Sequence, residues 1–441
     1  MDMSTLMLKK TIPAACIVLA LVTPLAAQSS RLWVLRPSGE MTEYDPNTFA
    51  AKLTVKVPVE AAASPQALSV NHLGQMLFAA AVSLPLAEGD LTEERKVWFW
   101  DGQKAITLTR DVSRTTSTTG SNLAITESAP MPFLSEDGQR LYWFSNQAHR
   151  LQRDGVDLST KNILLSWQTD LSGAARNEMA SIALSDCSCP TGGCEETCAY
   201  GEAWVPDGGV GKLFLLTQFV SGKTQPVYKA TSLYEENAGK WQATPLDPPL
   251  RRVLDAANAG AILEAIPDTA CCGWENQSDD QTLLHLRGQT LTVFDERNAY
   301  KNPDYDISFY TENGKLSPGL GAVAFTIAAT TQPNKAIQLA EQGQANPEES
   351  QRIRKALLDL PAVEVKSLDA KSDAAKNDNV KNRQDVLRRI AFLPHATLVG
   401  WISEKEILIV EGHLLVAYNI ASGTRRKSTI RVDDAMHVFL R

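Results

Sequence analysis

Apolar and polar positions along the chain recur in one order: a short apolar stretch, a polar turn, then a burst of strand-forming residues. The clearest copy is Phe133-Leu134-Ser135-Glu136-Asp137-Gly138-Gln139-Arg140-Leu141-Tyr142-Trp143-Phe144. Relatives stand at Leu68-Ser69-Val70-Asn71-His72-Leu73-Gly74-Gln75-Met76-Leu77-Phe78, and at Trp204-Val205-Pro206-Asp207-Gly208-Gly209 leading into Lys212-Leu213-Phe214. Further copies are Ser278-Asp279-Asp280-Gln281-Thr282-Leu283-Leu284, Leu316-Ser317-Pro318-Gly319-Leu320-Gly321 and Trp401-Ile402-Ser403-Glu404-Lys405-Glu406-Ile407. Asp, Asn, Ser and Gly form the turn, and branched or aromatic residues form the strand after it.

A second phrase, strand, acidic or Asn/Gly turn, strand, follows in most units. It reads Trp100-Asp101-Gly102-Gln103, Thr169-Asp170-Leu171-Ser172-Gly173, Tyr234-Glu235-Glu236-Asn237 and Phe294-Asp295-Glu296-Arg297. Both chain ends carry it too, at Tyr44-Asp45-Pro46-Asn47-Thr48-Phe49 and Tyr418-Asn419-Ile420-Ala421-Ser422-Gly423-Thr424. These are outer hairpins of successive small antiparallel sheets. One such unit cannot bury its own apolar face, so neighbours must stack. A period of about 60 residues then predicts an all-β chain, a β-propeller.

Seven blades are expected, with six as the alternative because Ser278 and Ser317 lie close together. Trp33-Val34-Leu35 matches the second strand of a unit, so the chain starts mid-blade. The final apolar run Met436-His437-Val438-Phe439-Leu440 fits as the missing inner strand, closing the ring and removing an open edge.

One interruption, residues 334–390, reads as a helical and loop insertion. Asn346, Pro347 and Glu349 make a helix start, Ile353, Ala356, Leu357 and Leu360 share a face, and Pro361 ends it. The expected helix tucks against the propeller, with a partner-docking role as the alternative. Residues 367–388, rich in Asp, Lys, Asn and Ala, read as an exposed mobile loop.

Residues 1–27 read as a secretory signal rather than as part of the fold. Lys9 and Lys10 precede the mostly apolar Ile17 to Leu25, and Leu25-Ala26-Ala27 offers a cleavage site before Gln28. The mature single domain is then 28–441, exported to the periplasm or the extracellular space and not membrane-spanning. Cleavage removes two lysines and one aspartate, taking the formal charge from −8 to −9. An acidic chain lacks the basic stripe that nucleic-acid binding needs. The apolar fraction of 44% and charged fraction of 21% suit a packed core.

Six of the seven cysteines follow the signal: Cys187, Cys189, Cys194, Cys198, Cys271 and Cys272. An even number in an exported chain favours structural disulfides. Zinc binding is the alternative, although the spacing lacks the paired CxxC arrangement. Both groups are expected in connections leading into inner strands, on one face.

The Ser-x-Asp-Gly-x-x-Leu pattern carried by Ser135, Asp137, Gly138 and Leu141 resembles the bacterial WD40-like (PD40) repeat of TolB-type propellers. Glu136 stands where that repeat has proline, and Pro206-Asp207-Gly208 keeps the Pro-Asp-Gly core in another unit. The resemblance covers residues 31–441 through architecture. It implies an envelope or extracellular propeller used for protein contact, and it transfers no catalytic residue.

Chemistry-bearing motifs are sparse. His72, His149, His285, His395, His413 and His437 are scattered, without a zinc-site spacing. No nucleophile elbow or phosphate loop is present. The pairs Asp279-Asp280, Asp304/Asp306 and Asp433-Asp434 read as turn formers. Trp204, Trp274 and Trp401 precede the turns, either packing blades or presenting a binding face. No catalytic, cofactor or metal residue is assigned. The expectation is a non-enzymatic scaffold for an envelope or extracellular protein or a small ligand. The alternative is an extracytoplasmic hydrolase or lyase acting on carbohydrate or peptide at the channel.

Overall fold

The computed structural model describes residues 30–58, 67–70, 75–85, 91–100, 105–117, 124–127, 131–134, 141–149, 160–168, 177–184, 200–204, 212–218, 220–221, 225–226, 231–237, 240–247, 250–257, 260–265, 281–288, 290–297, 300–302, 305–307, 309–329, 357–368, 389–433 and 436–440. They form a propeller-like succession of antiparallel sheets, mostly of four strands.

β1 (Leu32–Leu35), β2 (Glu40–Tyr44) and β3 (Ala51–Lys56) make the first meander. β4 (Ala67–Val70), β5 (Met76–Pro85), β6 (Leu91–Trp100) and β7 (Ala105–Ser117) make the second. β8 (Ala124–Glu127) pairs with β7 and also with the next unit, joining two units into one nine-stranded sheet. That next unit is β9 (Met131–Leu134), β10 (Leu141–His149), β11 (Thr160–Gln168) and β12 (Asn177–Leu184). The clearest sequence phrase is its first hairpin, in which Leu134 pairs with Leu141 and both are buried.

β13 (Tyr200–Trp204) and β14 (Lys212–Gln218) lead to a small hairpin of β15 (Val220–Ser221) and β16 (Gln225–Pro226). β17 (Thr231–Asn237) and β18 (Lys240–Leu246) complete that sheet. β19 (Leu250–Ala257), β20 (Gly260–Ala265), β21 (Gln281–Arg287) and β22 (Thr290–Arg297) form the next, followed by the short pair β23 (Tyr300–Asn302) and β24 (Tyr305–Ile307). β25 (Phe309–Leu316), β26 (Ala322–Ala329), β27 (Ala362–Ser367) and β28 (Arg389–Pro394) form another. β29 (Ala396–Ser403), β30 (Glu406–Glu411), β31 (Leu414–Asn419) and β32 (Arg425–Arg431) form the last meander. β33 (His437–Leu440) returns to the first sheet, pairing Trp33 with Phe439 and Val34 with Val438.

The β19–β22 sheet corrects two sequence expectations. The phrase at Ser278 leads into its third strand, not its second, and Phe294–Arg297 ends its fourth strand rather than turning a hairpin. Its first hairpin is closed across residues 258–259, with Ala257 opposite Gly260. That link is only two residues, Asn258-Ala259, too short to stand out as a polar stretch.

Where the side chains of the middle strands are described, alternate residues face the two neighbouring sheets. On β26, Val323, Phe325 and Ile327 pack with Ile262, Leu283 and Phe294, whereas Ala322 and Ala324 pack with Leu398, Trp401 and Ile407. Trp33 and Met41 pack with Phe78 and Trp100, the two indoles edge to face at 5.1 Å. Leu32 and Val34 face Leu408 and Leu415. Each fully buried side chain of this size contributes about 1.5–3 kcal/mol. The expected helical and loop insertion is corrected in part: among its described residues Leu357 and Leu358 are helical, but Ala362–Ser367 is the strand β27 of the propeller-like sheet; Leu357 and Leu360 are buried against the Phe325 cluster. Asn346, Pro347, Glu349, Ile353, Ala356 and residues 369–388 lie outside the described residues.

The two outer turns read from the chain ends are built alike. Asp45 Oδ1 accepts from the Asn47 and Thr48 amides at 2.8 and 3.3 Å; Asn419 Oδ1 does so from Ala421 and Ser422 at 3.1 and 3.0 Å. Both turns end in a left-handed residue, Phe49 (φ 59°) and Gly423 (φ 71°). Phe49 tolerates that strain beneath the Arg426 guanidinium, 4.9 Å from its ring. The Asn47 amide holds the Asp45 carboxyl below its ordinary range, against a smaller opposing effect of burial, with Lys52 helping. A depressed carboxyl contributes stability above its ordinary pKa and loses it as pH falls through the folded value. Asp45→Asn, copying the natural Asn419 turn, is therefore expected to stay folded and show a shallower loss of stability below about pH 5. Urea unfolding at several pH values measures this, and an unchanged slope contradicts it.

Candidate functional site

The first strands of neighbouring sheets lie side by side, β19 against β25, β25 against β29, and β29 against β33. The side chains between them concentrate the polar chemistry of the described residues. Arg252 on β19 reaches Glu264 on β20 through Nε at 2.6 Å and donates through Nη2 to the Thr311 carbonyl of β25, also at 2.6 Å. The Glu264 side chain is 3% exposed. Thr311 in turn donates to Gln281 Oε1 at 2.8 Å, and both residues are buried. Four strands of two sheets are thus tied by one chain of charge-assisted and neutral hydrogen bonds.

One turn lower, Asp255 accepts from Lys315 Nζ at 3.1 Å and from the Leu316 amide at 2.8 Å. Close approach there depends on Gly314, where a Cβ would lie 3.1 Å from the Leu254 Cβ. The next boundary repeats the logic with other groups. Trp401 Nε1 donates to the Lys315 carbonyl at 2.9 Å, Thr326 Oγ1 accepts from the Leu398 amide at 2.8 Å, and Glu404 accepts from the Gly319 amide. Tyr310, on β25, has its hydroxyl pKa pushed up by burial first and then by Glu312, leaving it a neutral donor at neutral pH.

A second cluster joins the outer parts of the same two sheets. Lys366 on β27 meets Asp295 on β22, and its Nζ lies 3.9 Å from Glu364 Oε1. That same oxygen takes Arg389 Nε at 2.5 Å. The Lys366, Asp295 and Glu364 side chains are 10%, 8% and 3% exposed, so three ionisable groups meet almost without water.

Of the tryptophans singled out from sequence, Trp401 is 8% exposed and sits in the core between sheets, its indole N–H engaged. It serves packing, not an open binding face. Trp204 ends β13 and its side chain lies outside the described residues, as does Trp274 entirely. Cys187, Cys189, Cys194, Cys198, Cys271 and Cys272 also lie outside them. Their flanking strands are described: the first four stand between β12 and β13, and the adjacent pair between β20 and β21. The second placement differs from the expected entry into an inner strand. His285 is buried on β21, while His395 and His413 occupy left-handed turn positions at φ 56° and 67°. Among the described residues, no three His, Cys, Asp or Glu side chains converge as a metal site, and no helix is long and apolar enough to cross a membrane.

Sequence reasoning missed Arg252, Glu264, Glu364 and Lys366. The only available signal was position: Glu264 ends the apolar run Gly260-Ala261-Ile262-Leu263, and Glu364 and Lys366 alternate with valines on a strand buried on both faces.

No family model matches the chain, and no curated protein matches it. Among solved structures it is similar to a Bacteroides fragilis protein assigned as a 6-phosphogluconolactonase, with 10% identity, coverage of 94% of this chain and 99% of that one, and a TM-score of 0.42. A hypothetical selenium-binding protein from Sulfolobus tokodaii gives 8% identity, 94% and 93% coverage, and 0.42. Dipeptidyl peptidase 4 of Porphyromonas gingivalis gives 10% identity, 92% of this chain, 54% of that one, and 0.41. The chain therefore spans about half that peptidase. Likeness at this level assigns neither activity nor ligand.

Proposed function

We propose that the chain is an exported, seven-bladed β-propeller that acts as a non-enzymatic scaffold, binding an envelope or extracellular protein or a small ligand. The seven blades are β33 with β1–β3, β4–β7, β9–β12, β13–β14 with β17–β18, β19–β22, β25–β28 and β29–β32. β33 closes the ring by pairing with β1, the arrangement that leaves no inner edge open. The observation that carries the scaffold reading is the use of the polar side chains. Arg252, Asp255, Lys315, Lys366 and Trp401 each bridge adjoining sheets, which makes a rigid ring on which loops can present a binding face.

Affinity capture with the mature protein, its disulfides intact, tests this reading on material from the native envelope. Recovery of one reproducible partner or ligand is expected; reproducible turnover of a carbohydrate or peptide without any such partner overturns it and favours the hydrolase or lyase alternative. Export makes two further expectations measurable. The mature N-terminus is Gln28, and the denatured protein exposes no free thiol until it is reduced. Each of the three bridges contributes about 2–4 kcal/mol. Six titratable thiols before reduction contradict the disulfides, and bound zinc in protein purified without oxygen replaces them with a metal site.

A further inference from the structure

The Lys366–Asp295–Glu364 cluster is built for chemistry beyond an ion pair. Lys366 and Glu364 stand two residues apart on β27 and project from the same face. That face meets β22, where Asp295 contacts the Lys366 ammonium. Phe294 and Phe325, 6.2 Å apart, lie in the apolar core beside them, with Leu368 and Phe392 packed against its edge. Arg389 holds the Glu364 oxygen that faces Lys366. An amine, a carboxyl and a second carboxyl able to carry protons are therefore fixed together in a site with little water.

We propose that Lys366 and Asp295 condense to form an intramolecular isopeptide bond, with Glu364 as proton carrier and Arg389 positioning it. The ammonium of Lys366 passes one proton to Glu364, and the freed amine attacks Asp295 Cγ. Glu364 returns that proton to an Asp295 oxygen. A second proton leaves the nitrogen by the same route as the tetrahedral intermediate collapses, and the doubly protonated oxygen departs as water. Ammonium and carboxylate become one neutral amide plus one water, so atoms and charge balance and no co-reactant is needed.

The physical case rests on proximity and dryness. Holding two reacting groups in contact replaces a bimolecular encounter by an effective concentration of about 10⁵–10⁸ M. Proton transfer through a placed carboxylate accelerates such steps by about 10²–10⁴-fold. Exclusion of water disfavours return to the acid and amine. The product joins the fourth strand of one sheet to the third strand of the next, closing a loop that holds β23 to β26. It is a staple indifferent to reductant, and it does not depend on which ligand the protein binds.

Mass spectrometry of the purified full chain, reduced and denatured, tests the bond. The expected mass is one water below that of the same chain unlinked. Protease digestion is expected to yield one branched peptide containing both Asp295 and Lys366, with the separate linear peptides reduced to traces. Lys366→Arg keeps a cation that cannot form the amide and is expected to be folded but unlinked. Glu364→Gln is expected to keep the wild-type circular dichroism spectrum while losing the branched peptide. Linear Asp295 and Lys366 peptides dominating the folded wild-type protein overturn the proposal. A branched peptide formed equally well by Glu364→Gln overturns the role of Glu364.

Discussion

Arg252→Met is expected to destabilise the protein by about 1–3 kcal/mol, the usual cost of taking a charged donor from buried acceptors. Arg252 stands against Glu264, whose side chain is 3% exposed, and the same guanidinium donates across the sheet boundary to Thr311. Methionine fills the volume of the arginine stem but supplies no donor, so both acceptors lose their arginine bond at once. The loss is expected to fall on global stability, because β19, β20 and β25 all belong to the two sheets the residue ties. Arg252→Met/Glu264→Gln separates the two contributions. Removing both charges is expected to recover more than half of the deficit, since a buried neutral amide is less costly to desolvate than a buried carboxylate that has lost its arginine. Urea unfolding of the three proteins provides the numbers. A single variant within about 0.5 kcal/mol of wild type, the range of an ordinary surface substitution, contradicts the assigned role.

The β-sheets were legible where a polar turn interrupts two apolar runs, and illegible where the turn is too short to show. Ser135 to Gln139 announces the β9–β10 hairpin, and Asp45 and Asn419 announce two outer turns because their side chains cap their own backbone. Residues 258–259 carry a single polar residue, Asn258 between two alanines, too little to mark a turn, and the expected strand order of the β19–β22 sheet falls one strand out of step. The insertion expected over residues 334–390 hid a strand, because Ala362–Ser367, read as helix and loop, is β27. Glu364 and Lys366 alternate with Val363 and Val365, a pattern that ordinarily means one wet face. Here both faces are covered, and the charged positions meet Asp295 from the next sheet. Such pairings join residues 71 positions apart and leave no local trace. Trp401 was ambiguous for the opposite reason: a repeated aromatic position suits packing and binding equally until its burial is known.

Deleting residues 436–441 is expected to have the largest effect, abolishing the cooperative unfolding transition of the protein. The lost segment supplies all of β33, whose register against β1 runs from Leu32↔Leu440 to Leu35↔His437. It also removes Met436, Val438 and Leu440 from the apolar cluster around Leu408 and Leu415, and Phe439 from the cluster around Trp33. Leu440 fills the space beside Gly400, where a Cβ would lie 3.4 Å from its own. Four partly buried apolar side chains, each worth a share of about 1.5–3 kcal/mol, approach the whole stability of an ordinary domain, about 5–15 kcal/mol. What remains is a strand, β1, with buried apolar residues and an open hydrogen-bonding edge, the configuration that recruits a second chain. The truncated protein is therefore expected to associate with rising concentration in sedimentation velocity, and a synthetic peptide spanning residues 436–441 is expected to suppress that association by refilling the edge. A truncated chain that remains monomeric and unfolds at the wild-type urea midpoint shows instead that β33 is dispensable, and the closed ring is then the wrong reading.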